Sequence, residues 1–217
     1  MVWGLKRVEG RGWDSDYRGR LWIHAASLEP SPEDIARYEA FYTEVYRREF
    51  GAKAGAPQFP KHYPTSALVG CVNVVDVVSK EEFAKWTSLP LSAKLEGDGN
   101  GSGFYFLCEG QMRMVMPFMM SGQHKLWKLD KKDVERASKQ LKACEQMPID
   151  FRGHRDGKFP PRVLIEDAED EERGGKCGNW DGECHNKEEA AICAASMEAE
   201  AEDIALALAM SLSMTET

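Results

Sequence analysis

Near the amino terminus, three cations and an aromatic ring crowd into one short run, Gly4-Leu5-Lys6-Arg7-Val8-Glu9-Gly10-Arg11, followed by Trp13. In an extended chain successive side chains alternate, so Lys6 and Val8 are expected on one side and Glu9 and Arg11 on the other. Arg18-Gly19-Arg20 follows directly and leads into an apolar run. Cations beside a Trp can contact phosphates and stack a base, which is the chemistry of single-stranded nucleic-acid binding. The same residues also suit a charged edge strand in which Glu9 pairs with Arg11 or Arg7. Spacing alone leaves both readings open.

Other residues with chemistry to offer carry weaker patterns. His24 lies in an apolar stretch and reads as a hydrogen-bonded structural histidine, with a role in a cleft beside the amino-terminal cationic run as the second reading. Trp127, between Leu126 and Leu129, reads as core, with Lys125 and Lys128 around it as candidate phosphate contacts. Methionines 112, 114, 116, 119 and 120 suit packing, not a cofactor site. Cys177, Cys184 and His185 are too widely spaced for structural zinc, and no second ligand pair follows. No metal site, cofactor or catalytic residue is expected. The six cysteines are scattered, as reduced thiols are, and not arranged as a disulfide framework.

A second cluster closes the sequence. Glu200, Glu202 and Asp203 precede Ile204, Ala207, Leu208 and Ser211, which fall at i, i+3, i+4 and i+7 on one helical stripe. Acidic residues suit the positive end of the helix dipole. The order of acidic lead, large apolar residue, Ala and Ser resembles a ubiquitin-interacting motif over 198–213, which implies ubiquitin or ubiquitinated proteins as partners. There Ala207 would allow close approach and Ser211 would offer a hydroxyl. An Ala-rich amphipathic helix docking on its own domain or on a coiled-coil partner is the plainer reading.

The elements that must position these residues are legible in part. Gly19–Ala26 and Ala67–Val78 are rich in β-branched and aromatic residues and read as buried strands. Gly103–Cys108 and Met112–Phe118 read as a further pair about the turn-prone Glu109-Gly110. A helix is expected from Ser31 as N-cap and Pro32 as first residue, through Ile35, Tyr38, Tyr42 and Val45, to Gly51. Another follows Asp130, marked by Val134, Ala137 and Leu141. Short strands with interposed helices suit a small α+β barrel better than a doubly wound parallel sheet.

Charge divides the 217 residues sharply. Residues 1–164 carry 25 Lys and Arg against 21 Asp and Glu, a net of +4, whereas residues 165–217 carry 3 against 15, a net of −12. The run from Glu166 to Glu172 and the Gly-rich stretch after it are expected to be disordered, and helical propensity returns from Lys187. No apolar run approaches the ~18 residues of a membrane helix, and no secretory leader is expected.

Four ordered blocks decide between the open readings. Gly4, Lys6, Glu9 and Arg11 match the signature G-x-K-x-x-E-x-R, and G-R-L-W-I-H-A (Gly19–Ala25), L-V-G-C-V (Leu68–Val72) and K-L-W-K-L-D (Lys125–Asp130) follow in order. Together they resemble the ASCH (activating signal cointegrator homology) family over roughly residues 1–143. The resemblance implies an α+β fold with a PUA-like β-barrel, flanking helices and a cleft lined by the signature. It further implies RNA or single-stranded nucleic acid as partner, in coactivation or RNA processing, in the nucleus and/or cytoplasm. The expected nucleic-acid-binding residues are Gly4, Lys6, Glu9, Arg11, Trp13, Arg18, Arg20, Lys125 and Lys128. Relatives carry a further strand and helix before the signature, so either the barrel lacks its first strand or the natural start lies upstream of Met1. Residues 144–186 are expected to be a linker, with the C-terminal helix over 187–213. Some bacterial relatives are amidohydrolases acting on acetylated cytidine through a Lys and a Thr. Lys6 could match that Lys, but Glu9 stands where the Thr belongs, so amide hydrolysis is the alternative reading and a protein-only scaffold the third.

Overall fold

The computed structural model describes residues 1–97, 103–155 and 190–194. Among these residues seven strands form one sheet: β1 (Val8–Arg11), β2 (Gly19–Ala25), β3 (Ala67–Ser79), β4 (Phe104–Met119), β5 (Leu126–Lys128), β6 (Leu141–Ala143) and β7 (Ala190–Ala194). Their order is β1-β4-β3-β2-β7-β5, with β6 added beside β4. Every pairing is antiparallel except that of β2 with β7.

The expected barrel is corrected to an open sheet, because β1 and β5, at the two ends of the path, do not pair with each other among the described residues. A buried side chain covers the start of the outer edge of β1. Glu96, on the short helix α3 (Leu91–Gly97), accepts the backbone N–H of Arg7 and that of Val8, the latter at 3.0 Å. A carboxylate thus satisfies donors that a neighbouring strand would otherwise use.

The helix α1 (Pro32–Phe50) forms as its sequence predicts. Ser31 Oγ accepts the Asp34 N–H, proline opens the first turn, and the Gly51 N–H donates to the Arg47 carbonyl. Phe41 and Val45 bury against Leu5 and Met147, so α1 clamps the segment leading into β1. Behind Asp130, α4 (Lys131–Ser138) buries Ala137 and half-buries Val134, while Leu141 belongs to β6 instead of prolonging the helix. The short helix α2 (Lys80–Ala84), capped by Ser79, and α3 carry no strong periodic signal and are found only in the structure.

The strand pair expected about Glu109-Gly110 is one strand. Between the partners Asn73↔Glu109 and Cys71↔Met112, β4 holds one residue more than β3. Gly110 absorbs the excess at φ +59°, a left-handed conformation that glycine adopts without steric cost, so the signal for a turn marks a bulge. Before it, Phe104, Phe106 and Cys108 face the same core as Leu21, Ile23, Val72 and Val74. After it, Met112 and Met114 face the opposite core with Trp22, Leu68 and Trp127.

Ala190–Ala194, inside the stretch read as a C-terminal helix, is a strand bonded to β2 on one side and β5 on the other. Two free strand edges supply more hydrogen bonds to this Ala-Ala-Ile-Cys-Ala run than helical propensity offsets. The segment 144–155 packs on the body, with the Met147 N–H donating to the Gly4 carbonyl and Phe151 fully buried beside Val8 and Leu107. The ubiquitin-motif residues Glu200, Glu202, Asp203, Ile204, Ala207, Leu208 and Ser211 lie outside the described residues, as do Cys177, Cys184 and His185.

Candidate nucleic-acid interface

The antiparallel register places Glu9 opposite Phe106 and Arg11 opposite Phe104, so both charged side chains rise from the sheet face that carries those rings. Glu9 sits between two cations: Lys6 Nζ lies 2.9 Å from Oε2 and Arg11 Nη1 lies 2.6 Å from Oε1. Burial pushes the Glu9 carboxyl up, but Lys6 and Arg11 outweigh it and hold the group below the usual carboxylate range. The trio keeps one net positive charge.

Its geometry corrects one expectation. Lys6 precedes β1, and the chain turns there so that Lys6 folds over Glu9 instead of sharing a side with Val8. The turn depends on Gly4, at φ +74°. A Cβ there would stand 2.8 Å from the Glu145 Cα and nearer still to the Cys144 carbonyl oxygen. Gly4 is therefore a close-packing residue whose missing side chain lets the Cys144–Met147 backbone approach.

Trp13 lies in the connection that carries the chain from β1, across β4 and β3, to β2. Its ring packs edge-on against Phe106 at 5.2 Å between centroids, and Lys125 Nζ stands 5.9 Å from its centre. Lys125 is one of two non-glycine residues with positive φ among the described residues, at +59°. The structure thus brings Lys6, Glu9, Arg11, Trp13 and Lys125 to one face.

The remaining expected contacts lie elsewhere. Arg18 binds the buried carboxylate of Asp76, which also takes Arg155, and donates to the carbonyls of Ser15 and Tyr17 at 3.0 and 2.9 Å. That guanidinium fastens the crossing connection to β3. Arg20 is exposed on β2, and its carbonyl accepts the Tyr17 hydroxyl. Lys128 is exposed on β5. His24 and Trp127 are buried as expected. His24 Nε2 lies 2.9 Å from the Met120 carbonyl oxygen and the imidazole packs edge-on to Trp127.

One residue of the signature run was missed. Arg7 is fully buried, donating through Nε to Glu96 Oε1 at 2.8 Å and through Nη1 to both oxygens of Glu49 at 3.0 Å. It locks α1 and α3 behind β1 while its neighbour Lys6 turns to the opposite face. An arginine flanked by Lys6 and Val8 gives no local sign of such burial, because its partners come from remote helices.

The pairing of Lys6 with Glu9 and the position of Gly4 fix the spacing G-x-K-x-x-E-x-R in three dimensions. A family model described as the ASCH domain matches residues 1–115. The chain belongs to the ASCH domain family. Over 141 residues, 65% of its length, it is 37% identical to activating signal cointegrator 1 of Homo sapiens and equally to that of Mus musculus. It spans 22% of the length of each of those relatives. The described part of this ASCH chain contains no cluster of His, Cys, Asp and Glu suited to a metal ion, and no helix in it is long and apolar enough to cross a membrane.

Proposed function

We propose that this ASCH chain is a non-enzymatic adaptor that binds RNA or single-stranded nucleic acid, serving transcription coactivation or RNA processing in the nucleus and/or cytoplasm. The observation that carries the reading is the Lys6–Glu9–Arg11 trio standing beside Trp13 and Lys125 on one sheet face. It combines a net cationic group with an aromatic ring, as nucleic-acid recognition requires. The relatives' name, activating signal cointegrator 1, supports a coactivator role. The pairing of Lys6 with Glu9 argues against amide hydrolysis, because an ammonium held by a carboxylate is not a nucleophile. For residues 198–213 the sequence motif alone supports ubiquitin recognition, which would couple nucleic acid to ubiquitinated proteins.

The test is fluorescence anisotropy of the full chain with a labelled oligouridine over a salt series, beside an assay for deacetylation of acetylcytidine. Binding that weakens as salt rises, without turnover, supports the reading. Absence of binding at low ionic strength, or deacetylation that Lys6→Ala abolishes, would overturn it.

A further inference from the structure

The net positive charge of the body has an address, and it is not the signature. Residues 121–143 carry seven Lys and Arg against three Asp and Glu, a net of +4, equal to that of the whole 1–164 segment. The remainder of that segment is electrically balanced. The signature cations are already committed to carboxylates: Lys6 and Arg11 to Glu9, Arg7 to Glu96 and Glu49, Arg18 to Asp76.

The cations of 121–143 are disposed differently. Lys125, Lys131, Lys132, Arg136 and Lys139 are exposed, and no acidic partner is found for them among the described residues. Lys132, Arg136 and Lys139 recur at helical spacing, while Val134 and Ala137 turn inward to the core shared with Trp127 and Phe118. The Arg136 guanidinium lies 4.1 Å from the centre of the Phe118 ring, which holds it against the body instead of leaving it to wave in solvent. At the other end, Lys125 reaches the Trp13 ring, so the cationic surface joins the signature face through that contact.

Resting on the nucleic-acid reading above, we infer that the β5–α4 surface is the track for the phosphate backbone. The strand leaves the Trp13 face past Lys125 and runs along Lys131, Lys132, Arg136 and Lys139. Charge complementarity selects a polyanion, and the junction with an aromatic platform selects a single-stranded nucleic acid, whose bases are free to stack. The signature trio, with one of its two cations balanced by Glu9, then serves to hold the start of β1 and its rim in place, with most of the electrostatic affinity coming from α4.

The test uses the full chain, a labelled oligouridine and a triple variant, Lys131→Gln/Lys132→Gln/Lys139→Gln, which leaves Arg136 on Phe118. Each phosphate contact on a single strand contributes about 0.7 to the slope of log K against log salt, so losing three lowers it by roughly 2. Affinity at moderate salt is expected to fall about tenfold or more, with the thermal midpoint unchanged. Trp13→Ala serves as the second variant and is expected to weaken binding while leaving the slope intact. If the triple variant keeps the wild-type slope while Trp13→Ala weakens binding, the phosphate track is refuted and the nucleic-acid reading stands. If the wild-type chain binds no oligouridine at low salt, both fall. If the triple variant binds oligouridine normally but loses salt-sensitive binding of polyglutamate, the surface serves an acidic polypeptide and the inference is overturned.

Discussion

Replacing Glu96 by Gln removes one charge from the buried centre behind β1 and leaves almost every atom in place. Two kinds of donor converge on that carboxylate. Oε2 takes the backbone N–H groups of Arg7 and Val8, while Oε1 takes Nε of Arg7 at 2.8 Å, with Nη2 of the same guanidinium at 2.7 Å. A glutamine can keep its carbonyl on the two backbone donors only by turning its amide nitrogen toward Arg7, donor against donor. The fully buried guanidinium then relies on Glu49 alone, and breaking a buried pair in this way costs about 3–5 kcal/mol. Against a total stability of about 5–15 kcal/mol for a domain, that is a large fraction. Arg7→Met added to Glu96→Gln removes the stranded charge, keeps the acceptor for both backbone groups, and fills the space with an adaptable side chain. Glu49 retains the Ser92 hydroxyl and partial exposure. The double variant is therefore expected to be more stable than Glu96→Gln by about 2 kcal/mol or more, since hydrophobic replacement of a buried pair is often near neutral. Urea unfolding followed by circular dichroism on wild type, both single variants and the double variant gives the full cycle. A double variant no more stable than Glu96→Gln, or a single-variant loss below about 1 kcal/mol, would refute the argument that Arg7 is held by charge.

Three further outcomes follow from the same geometry. Gly4→Ala combines left-handed strain of about 1–2 kcal/mol with overpacking of roughly 1–3 kcal/mol against backbone that cannot give way, and a markedly lower thermal midpoint checks it. The Glu9 carboxyl is held below its usual value of 4.5, so its stabilisation is complete above pH 4.5 and is lost as pH falls through the folded-state value. The stability gap between wild type and Glu9→Gln should accordingly narrow in acid, and a gap independent of pH in urea midpoints contradicts this. The ubiquitin recognition proposed for residues 198–213 predicts that a peptide of that segment binds ubiquitin at high micromolar affinity, since a single short motif buries little area. Ala207→Gln should weaken its NMR shifts on labelled ubiquitin, and equal shifts from both peptides would refute ubiquitin recognition by this segment.

What the sequence disclosed was mostly local. Ser31, Pro32 and Gly51 bracket α1 because caps act within a few residues, and the β-branched runs of β2 and β3 declare themselves by composition. The Glu9–Arg11 pairing is likewise a matter of two residues on one strand face. Arg7 was opaque because its burial is decided by Glu49 and Glu96, far along the chain. Lys6 was assigned to the wrong side because alternation was extended one turn of backbone beyond where β1 begins. At Glu109-Gly110 the turn chemistry was sound, yet glycine serves a bulge as well as a turn, and only the partner strand distinguishes them. The carboxylate of Glu96 at the start of β1 is a contact that no pattern of strands predicts. The cationic face of α4 does not show in the net charge of the body, because other cations there are matched by neighbouring carboxylates that only the fold brings together.

The bulge at Gly110 acts as a parity switch for everything downstream. Side chains on a strand alternate like odd and even numbers, and one surplus residue exchanges the two sets. Because of it, Arg113 rises toward Trp3, with its guanidinium 4.7 Å from that ring's centre, while Met112 and Met114 drop into the core with Trp22. Removing Gly110 would reverse the assignment at a stroke, driving Arg113 into a hydrophobic interior and lifting two methionines beside Trp3. Insertions or deletions between Glu109 and Met112 are therefore tolerable only in pairs. A length change in this segment between related chains gives a direct reading of whether the two halves of β4 still face the way they do here.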